Sequence, residues 1–142
     1  MTSIRMEDSA GWLLNYAGRL AVRRLAVKLQ PHGITPPQWG VLVRLSEKDG
    51  QSLSELGARA LFDGPTMTGI VDRLEAGGLV ERRRDSSDRR VINLYLTDPG
   101  RRLVAALPRI GEETDREMLA GAAAEEQECF LRALRKVITN LS

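Results

Sequence analysis

From position 8 to position 30 the chain reads DSAGWLLNYAGRLAVRRLAVKLQ, and its apolar residues recur at helical spacing. Asp8 or Ser9 is suited to cap a helix here, and Pro31 and Gly33 to end it. Leu13, Leu14, Tyr16, Ala17, Leu20, Ala21, Val22, Leu25 and Val27 cover more than half of the helical circumference, leaving Asn15, Arg19, Arg23 and Gln30 the remaining strip. A helix packed against one neighbour needs a narrower stripe. This one is expected to pack on two sides, against its own domain and against a second chain. A central core helix has the same pattern.

Thr35 precedes PPQWGVLVRLSEKDG, a second helix with proline at its first positions, where a missing N–H costs nothing. Trp39, Leu42, Val43 and Ser46 fall on one face of it, and Gly50 closes it. In SLSELGARA, Ser52 and Glu55 have the spacing of a capping box. LFDG reads as a turn, and PTMTGIVDRLEAGG as the next helix, opened by Pro65 and stopped by Gly77 and Gly78. Met67, Ile70, Val71 and Leu74 form its narrow apolar stripe, with Pro65, Thr66, Gly69, Asp72 and Arg73 opposite. Two short helices joined by a tight glycine-containing turn describe a helix-turn-helix.

The period then changes. LVERRR and RRVINLYLT read as strands about the turn DSSD, with Ile92, Leu94 and Leu96 alternating with Val91, Asn93 and Tyr95. A hairpin in this place is a wing. Thr97 or Asp98, followed by Pro99, starts a helix that runs to about Ala120 and is bent at Pro108. In AEEQECFLRALRKVITNL, Phe130, Leu131, Leu134, Val137, Ile138 and Leu141 share one stripe; glutamates sit in the first turn and Arg135 and Lys136 near the end, as the helix dipole favours. The expected fold is mainly α with a small β wing. Residues 35–97 form a winged helix-turn-helix lobe, and residues 1–34 and 98–142 a helical dimerisation region.

Composition narrows the chemistry. Hydrophobic residues make up 42% and charged residues 28% of the chain, enough for a folded core, but aromatics only 4%, so that core is aliphatic. One cysteine excludes an intrachain disulfide, and one histidine with one cysteine excludes a zinc site built from those two residue types. There is no Gly-rich phosphate loop, no HExxH and no nucleophile elbow, so neither an enzyme nor a cofactor is expected. No apolar run approaches the ~20 residues of a membrane span, and no signal-peptide pattern opens the chain; a cytoplasmic protein is expected. Cys129 lies off the apolar stripe of the last helix and reads as a structural or incidental thiol.

The net charge of +2 says little, but its distribution says more. Residues 1–111 carry 17 Lys/Arg against 12 Asp/Glu, and residues 112–142 carry 4 against 7. The densest block is RRRDSSDRR, residues 82–90, with five arginines and two aspartates. Such crowding is unfavourable unless an anion neutralises it. A hairpin tip beside a helix in the major groove reaches a neighbouring minor groove, whose negative potential attracts arginine. Thr66, Thr68 and Gly69 are small enough to let the helix backbone come close to DNA, and threonine hydroxyls and methyls read base edges with less discrimination than arginine. A winged domain that binds protein instead of DNA is the competing reading, and it needs no cluster at Arg82–Arg84 and Arg89–Arg90.

DRRVINLYLTDPGR, with Asp88, Arg90, Leu94, Leu96, Thr97 and Gly100 in register, resembles the wing signature of the MarR (multiple antibiotic resistance regulator) family. MTGIVDRLEAGGLVERR is similar to that family's recognition helix running into the wing, and GITPPQWGVLVRL to its second helix. The resemblance implies a homodimer joined through its terminal helices. It also implies binding to near-palindromic double-stranded DNA operators, usually as a repressor released by a small ligand or by oxidation. Carried over by position, Arg90 enters the minor groove with Asp88 holding its guanidinium, Thr66 and Thr68 face the major groove, and Arg73 meets a phosphate. Pro65, Gly69, Arg84 and Arg89 complete the expected DNA surface. Many members carry a larger polar or basic residue where Gly69 stands, and peroxide-sensing members carry an N-terminal cysteine that this chain lacks.

The same resemblance implies an aromatic acid or phenol as effector, bound between the dimer helices and the lobe. Trp12, Tyr16, His32 and Trp39 are the candidates, since aromatic walls with a few polar groups suit such a pocket. Trp39 shares a helix face with Leu42 and Val43, where packing is a sufficient role, and His32 sits at a helix end, where a C-terminal role is sufficient.

Overall fold

The computed structural model describes residues 5–142. Seven α-helices and three short strands follow one another: α1 (Ala10–Leu29), α2 (Pro36–Glu47), β1 (Gln51–Ser52), α3 (Leu53–Ala60), α4 (Gly64–Ala76), β2 (Val80–Arg84), β3 (Ile92–Leu96), α5 (Asp98–Ala106), α6 (Pro108–Met118) and α7 (Ala124–Leu141). The architecture is mainly helical with a small antiparallel sheet, ordered β1-β3-β2.

Local chemistry sets the helix starts. The Ser9 hydroxyl accepts from the Trp12 N–H, and Thr35 with Gln38 and Ser52 with Glu55 form reciprocal capping boxes. The Asp63 carboxylate accepts the Thr66 N–H at the head of α4, so α4 begins at Gly64 and Pro65 is its second residue, not its first. Thr97 caps α5 through the Gly100 N–H, and its own hydroxyl donates to the Gly78 carbonyl 2.6 Å away. Gly100 permits that junction: a Cβ there would lie 2.1 Å from the Leu79 carbonyl oxygen.

The core gathers Val41, Leu42 and Leu45 of α2, Leu56 of α3, Met67, Ile70, Val71 and Leu74 of α4, and Val80, Leu94 and Leu96 of the sheet. Leu29 at the end of α1 and Leu107 at the junction of α5 and α6 join it. The inward stripe of α2 is therefore Gln38, Val41, Leu42 and Leu45; the expected Trp39, Leu42, Val43 and Ser46 face is rotated from it, and Ser46 is exposed. Two apolar arcs sharing Leu42 run along this helix: the fully buried one holds Gln38, Val41 and Leu45, and the one with the tryptophan packs at the edge of the core. Trp39 is partly buried against the core, and the far edge of its indole lies against Gly111 of α6.

One strand was not expected, and two further expectations are revised. β1 has only two residues and no periodicity to betray it; it pairs Gln51 with Leu94 and Ser52 with Asn93. The buried Gln51 amide donates to the Arg44 and Lys48 carbonyls, closing the end of α2. The wing strands are shorter than the sequence pattern, pairing Val80 with Leu96 through Arg84 with Ile92, so Arg89 and Arg90 lie in the connecting loop. The helix expected from 98 to about 120 is interrupted rather than bent: α5 ends before Leu107, and α6 starts afresh at Pro108, because proline suits a first turn and cannot continue one.

α1 and α6 lie side by side, tied by Glu117, whose carboxylate takes Arg24 at 2.6 Å and Lys28 at 2.8 Å. Much of the rest of α1 is uncovered: Leu13, Leu14, Tyr16, Leu20, Val22 and Val27 are all exposed. α7 buries no residue, and Phe130, Leu131, Ile138 and Leu141 of its apolar stripe face solvent. No helix among the described residues is long and apolar enough to cross a membrane.

Candidate nucleic-acid interface

α4 presents the face opposite its buried stripe. Pro65, Thr66, Thr68 and Arg73 are exposed and Gly69 half-buried, with open space where a Gly69 side chain would stand. The Thr68 hydroxyl donates to the Gly64 carbonyl at 2.9 Å, which leaves its methyl and both oxygen lone pairs for a partner. Arg73 has no carboxylate partner among the described residues. The Asp63 carboxyl is held below the usual aspartate range by the hydrogen bond from Thr66, so the cap is ionised at neutral pH.

The wing loop is built by short-range polar contacts. The Asp85 N–H donates to the Val91 carbonyl, the Val91 N–H to the Asp88 carbonyl, and the Arg84 guanidinium to the Arg89 carbonyl at 2.9 Å. Asp88 accepts three bonds from one residue: the Arg90 backbone N–H and Nε on Oδ1, and Nη2 on Oδ2, at 3.1–3.2 Å. The Arg90 side chain bond, then its backbone bond, holds the Asp88 carboxyl below its usual range. The Arg90 side chain is nonetheless 91% exposed, so the guanidinium is oriented without being covered.

The five arginines do not form one free cluster. Arg84, Arg89 and Arg90 occupy the tip. Arg83 pairs with Glu81, and its guanidinium stacks 4.4 Å above the Tyr95 ring. Arg82 reaches Asp72 and Glu75 of α4. Burial alone would lower the Arg82 guanidinium, but the hydrogen bonds and charges of Asp72 and Glu75 outweigh it and raise it above the usual arginine value. Ion pairs at a surface contribute about 0–1 kcal/mol to folding, so these contacts matter for orientation more than for stability. The charge pattern DRLEAGGLVER, with two acids one helical turn apart and an arginine just past the glycines, was the available signal for this arrangement.

The four expected effector residues are not brought together within one protomer. Trp12 and Tyr16 stack near the start of α1, with centroids 5.0 Å apart and planes 13° from parallel, beside Asn15 and Arg19. His32 is exposed in the short turn after α1. Trp39 lines a cavity of about 500 Å³ under α1, with Leu25, Leu56 and Phe62 as further apolar walls and Arg44 at its edge. Sequence reasoning missed Phe62 and Arg44; an arginine inside the apolar run VLVRL was the hint. No group of acidic, histidine or cysteine side chains among the described residues is placed to hold a metal ion.

The model of the MarR family matches residues 34–92. The transcriptional regulator HosA of Escherichia coli O127:H6 is 34% identical over 105 residues, 74% of this chain and 78% of HosA. The HTH-type transcriptional regulator TtmR of Methylorubrum extorquens is 45% identical over 75 residues, 53% of this chain, but the match spans only 38% of TtmR. Among solved structures, a probable transcriptional regulator from Pseudomonas aeruginosa superposes with a TM-score of 0.83 at 32% identity, covering 97% of this chain and 100% of the other. S. aureus MepR, solved as a complex with DNA, gives 0.86 at 25% identity over 93% and 98% of the two chains. Bordetella bronchiseptica BpsR, whose DNA binding is regulated by 6-hydroxynicotinic acid, gives 0.82 at 28% identity over 89% and 96%. The helix-turn-helix, the wing and these relatives together place the chain in the MarR family of winged-helix transcriptional regulators.

Proposed function

We propose that this chain works as a homodimeric repressor that binds near-palindromic double-stranded DNA and releases it when a small aromatic acid binds. The observation that carries the DNA reading is Arg90: a cation almost wholly in solvent, yet fixed in direction by Asp88. An exposed arginine loses entropy when held this way, and insertion into a narrow minor groove uses the orientation. Arg84 and Arg89 add positive charge to the same loop, while Pro65, Thr66, Thr68, Gly69 and Arg73 of α4 face the adjoining major groove. MepR, similar over nearly the whole chain, is known in complex with DNA.

The dimer reading rests on α1 and α7. An 18-residue helix with no buried residue and an apolar stripe in water is unfavourable alone. Packing α1 and α7 of one protomer against those of another covers both, leaving residues 35–97 as the DNA-binding lobe. Two-fold symmetry then sets the recognition helices about one DNA turn, ~34 Å, apart.

The effector reading moves to the Trp39 cavity. Trp39 and Phe62 supply aromatic walls, and Arg44, without a carboxylate partner among the described residues, supplies a counter-ion for an acid. The regulation of BpsR by 6-hydroxynicotinic acid supports that ligand class. Trp12 and Tyr16 belong to the dimer surface in this arrangement.

Titration against a mixed-sequence duplex at 50 and 200 mM salt tests the DNA reading. Release of condensed counterions predicts a loss of affinity of about a thousandfold between the two. Salt-independent association, or none, would favour an adaptor that uses the winged fold to bind protein.

A further inference from the structure

Of the wing arginines, Arg82 differs in chemistry from those at the tip. It lies on β2, but its guanidinium crosses to α4, with Nη2 2.5 Å from Asp72 Oδ1 and Nη1 2.8 Å from Glu75 Oε1. Its own backbone N–H donates to Glu75 Oε2 at 3.1 Å. Three donors of a single wing residue thus grip two carboxylates one turn apart on the recognition helix. The side chain is only 21% exposed, so little of it is left for another partner.

The position of this clamp matters as much as its strength. Beyond it, toward the tip, every described hydrogen bond and ion pair of residues 83–91 stays within the hairpin: Arg83 with Glu81, Arg84 with Arg89, Asp85 with Ser87 and Val91, Asp88 with Arg90 and Val91. Arg82 is therefore the last polar tie of the β2 arm to the body of the lobe; on the β3 arm the pairing of Ser52 with Asn93 lies beside it, and the tip carrying Arg90 extends past both. A small change of angle at Arg82 becomes a larger displacement at Arg90. The clamp also neutralises two carboxylates that would otherwise stand on the helix facing a polyanion.

We propose that Arg82 is a positioning residue for DNA binding: by clamping Asp72 and Glu75 it fixes the angle between recognition helix and wing, so that Arg90 and the α4 face engage adjacent grooves of one duplex. This rests on the DNA-binding reading above, and it assigns Arg82 no contact with DNA.

A double-mutant cycle separates positioning from direct contact. The full-length dimer and its R82A, R90A and R82A/R90A variants are titrated by fluorescence anisotropy against a duplex selected from a randomised pool by the wild-type protein. Thermal unfolding is followed alongside. R82A is expected to weaken binding about tenfold, and R90A to cost at least tenfold in the wild-type background but no more than about threefold when Arg82 is absent, the non-additivity of coupled residues. R82K, which keeps the charge but cannot fork to both carboxylates, gives the same coupling in smaller measure, and carries the cycle should R82A fail to fold. If R90A costs the same factor with and without Arg82, the two act independently and the positioning role is overturned. If the wild-type protein selects no duplex, the DNA reading itself has failed, and this inference with it.

Discussion

Leu61 is the one residue other than glycine with a left-handed backbone among the described residues, at φ 56°. It occupies the turn between α3 and α4 and is 92% exposed, so its side chain returns nothing in packing for that conformation. For an L-residue the left-handed region costs roughly 1–2 kcal/mol, and glycine recovers part of that, less its own entropy of roughly 0.5–1 kcal/mol. Leu61→Gly is therefore expected to stabilise the lobe by about 0.5 kcal/mol in urea unfolding, while Leu61→Ala brings no gain; equal or lower stability for the glycine variant would contradict the backbone argument. The sequence pointed to a tight turn in LFDG, but assigned the glycine to it. The chain instead starts α4 at Gly64 and asks Leu61 to turn left, because the Asp63 cap claims the residues that follow it. Caps were legible at Thr35 and Ser52, and to within one residue at Ser9 and Thr97, since each is decided within four residues. The handedness at Leu61 was not, since it is imposed by how α3 and α4 pack.

Helices with a strong period were readable as elements, and their orientation less so. α4 buried the stripe its spacing implied, whereas α2 turned by part of a revolution, because its apolar arc is wide enough to offer two faces and only tertiary contacts choose between them. The tie between α1 and α6 was not legible at all: Glu117 is 89 positions from Lys28 and 93 from Arg24, and nothing local pairs them. Its pH dependence follows from the shift of Glu117. The hydrogen bond from Lys28, then that from Arg24, holds this carboxyl below the usual glutamate range. A carboxylate lowered by folding stabilises the protein above its unfolded value, and the contribution fades as pH falls through the folded value. E117Q is thus expected to melt below the wild type at neutral pH, with the gap closing once the pH drops beneath the ordinary glutamate range. A gap that persists unchanged into acid would show that the ion pair is not its source.

The whole molecule leaves two surfaces to be met, the apolar faces of its terminal helices and the basic tip of its wing. The charge asymmetry in the sequence sets the acidic C-terminal helix apart from the wing: residues 112–142 carry an acidic excess, and the basic excess sits in the preceding 111. Removing residues 124–142 takes away the exposed stripe of α7 and is expected to give a monomer by light scattering that binds DNA poorly; a stable dimer of the truncated chain would move the interface elsewhere. The crowding of arginines on the hairpin was legible in the sequence; how the fold divides them was not, since it claims Arg82 and Arg83 for itself and leaves the tip to Arg84, Arg89 and Arg90. Arg90 carries the central claim, and the most direct measurement is the affinity of R90A for the duplex selected by the wild-type protein, read by gel shift with the dimer mass checked in parallel. Loss of the guanidinium should weaken binding by roughly tenfold or more, as an arginine–DNA contact of about 1–3 kcal/mol requires, with the dimer intact; unchanged affinity would show that the wing does not reach DNA through this side chain.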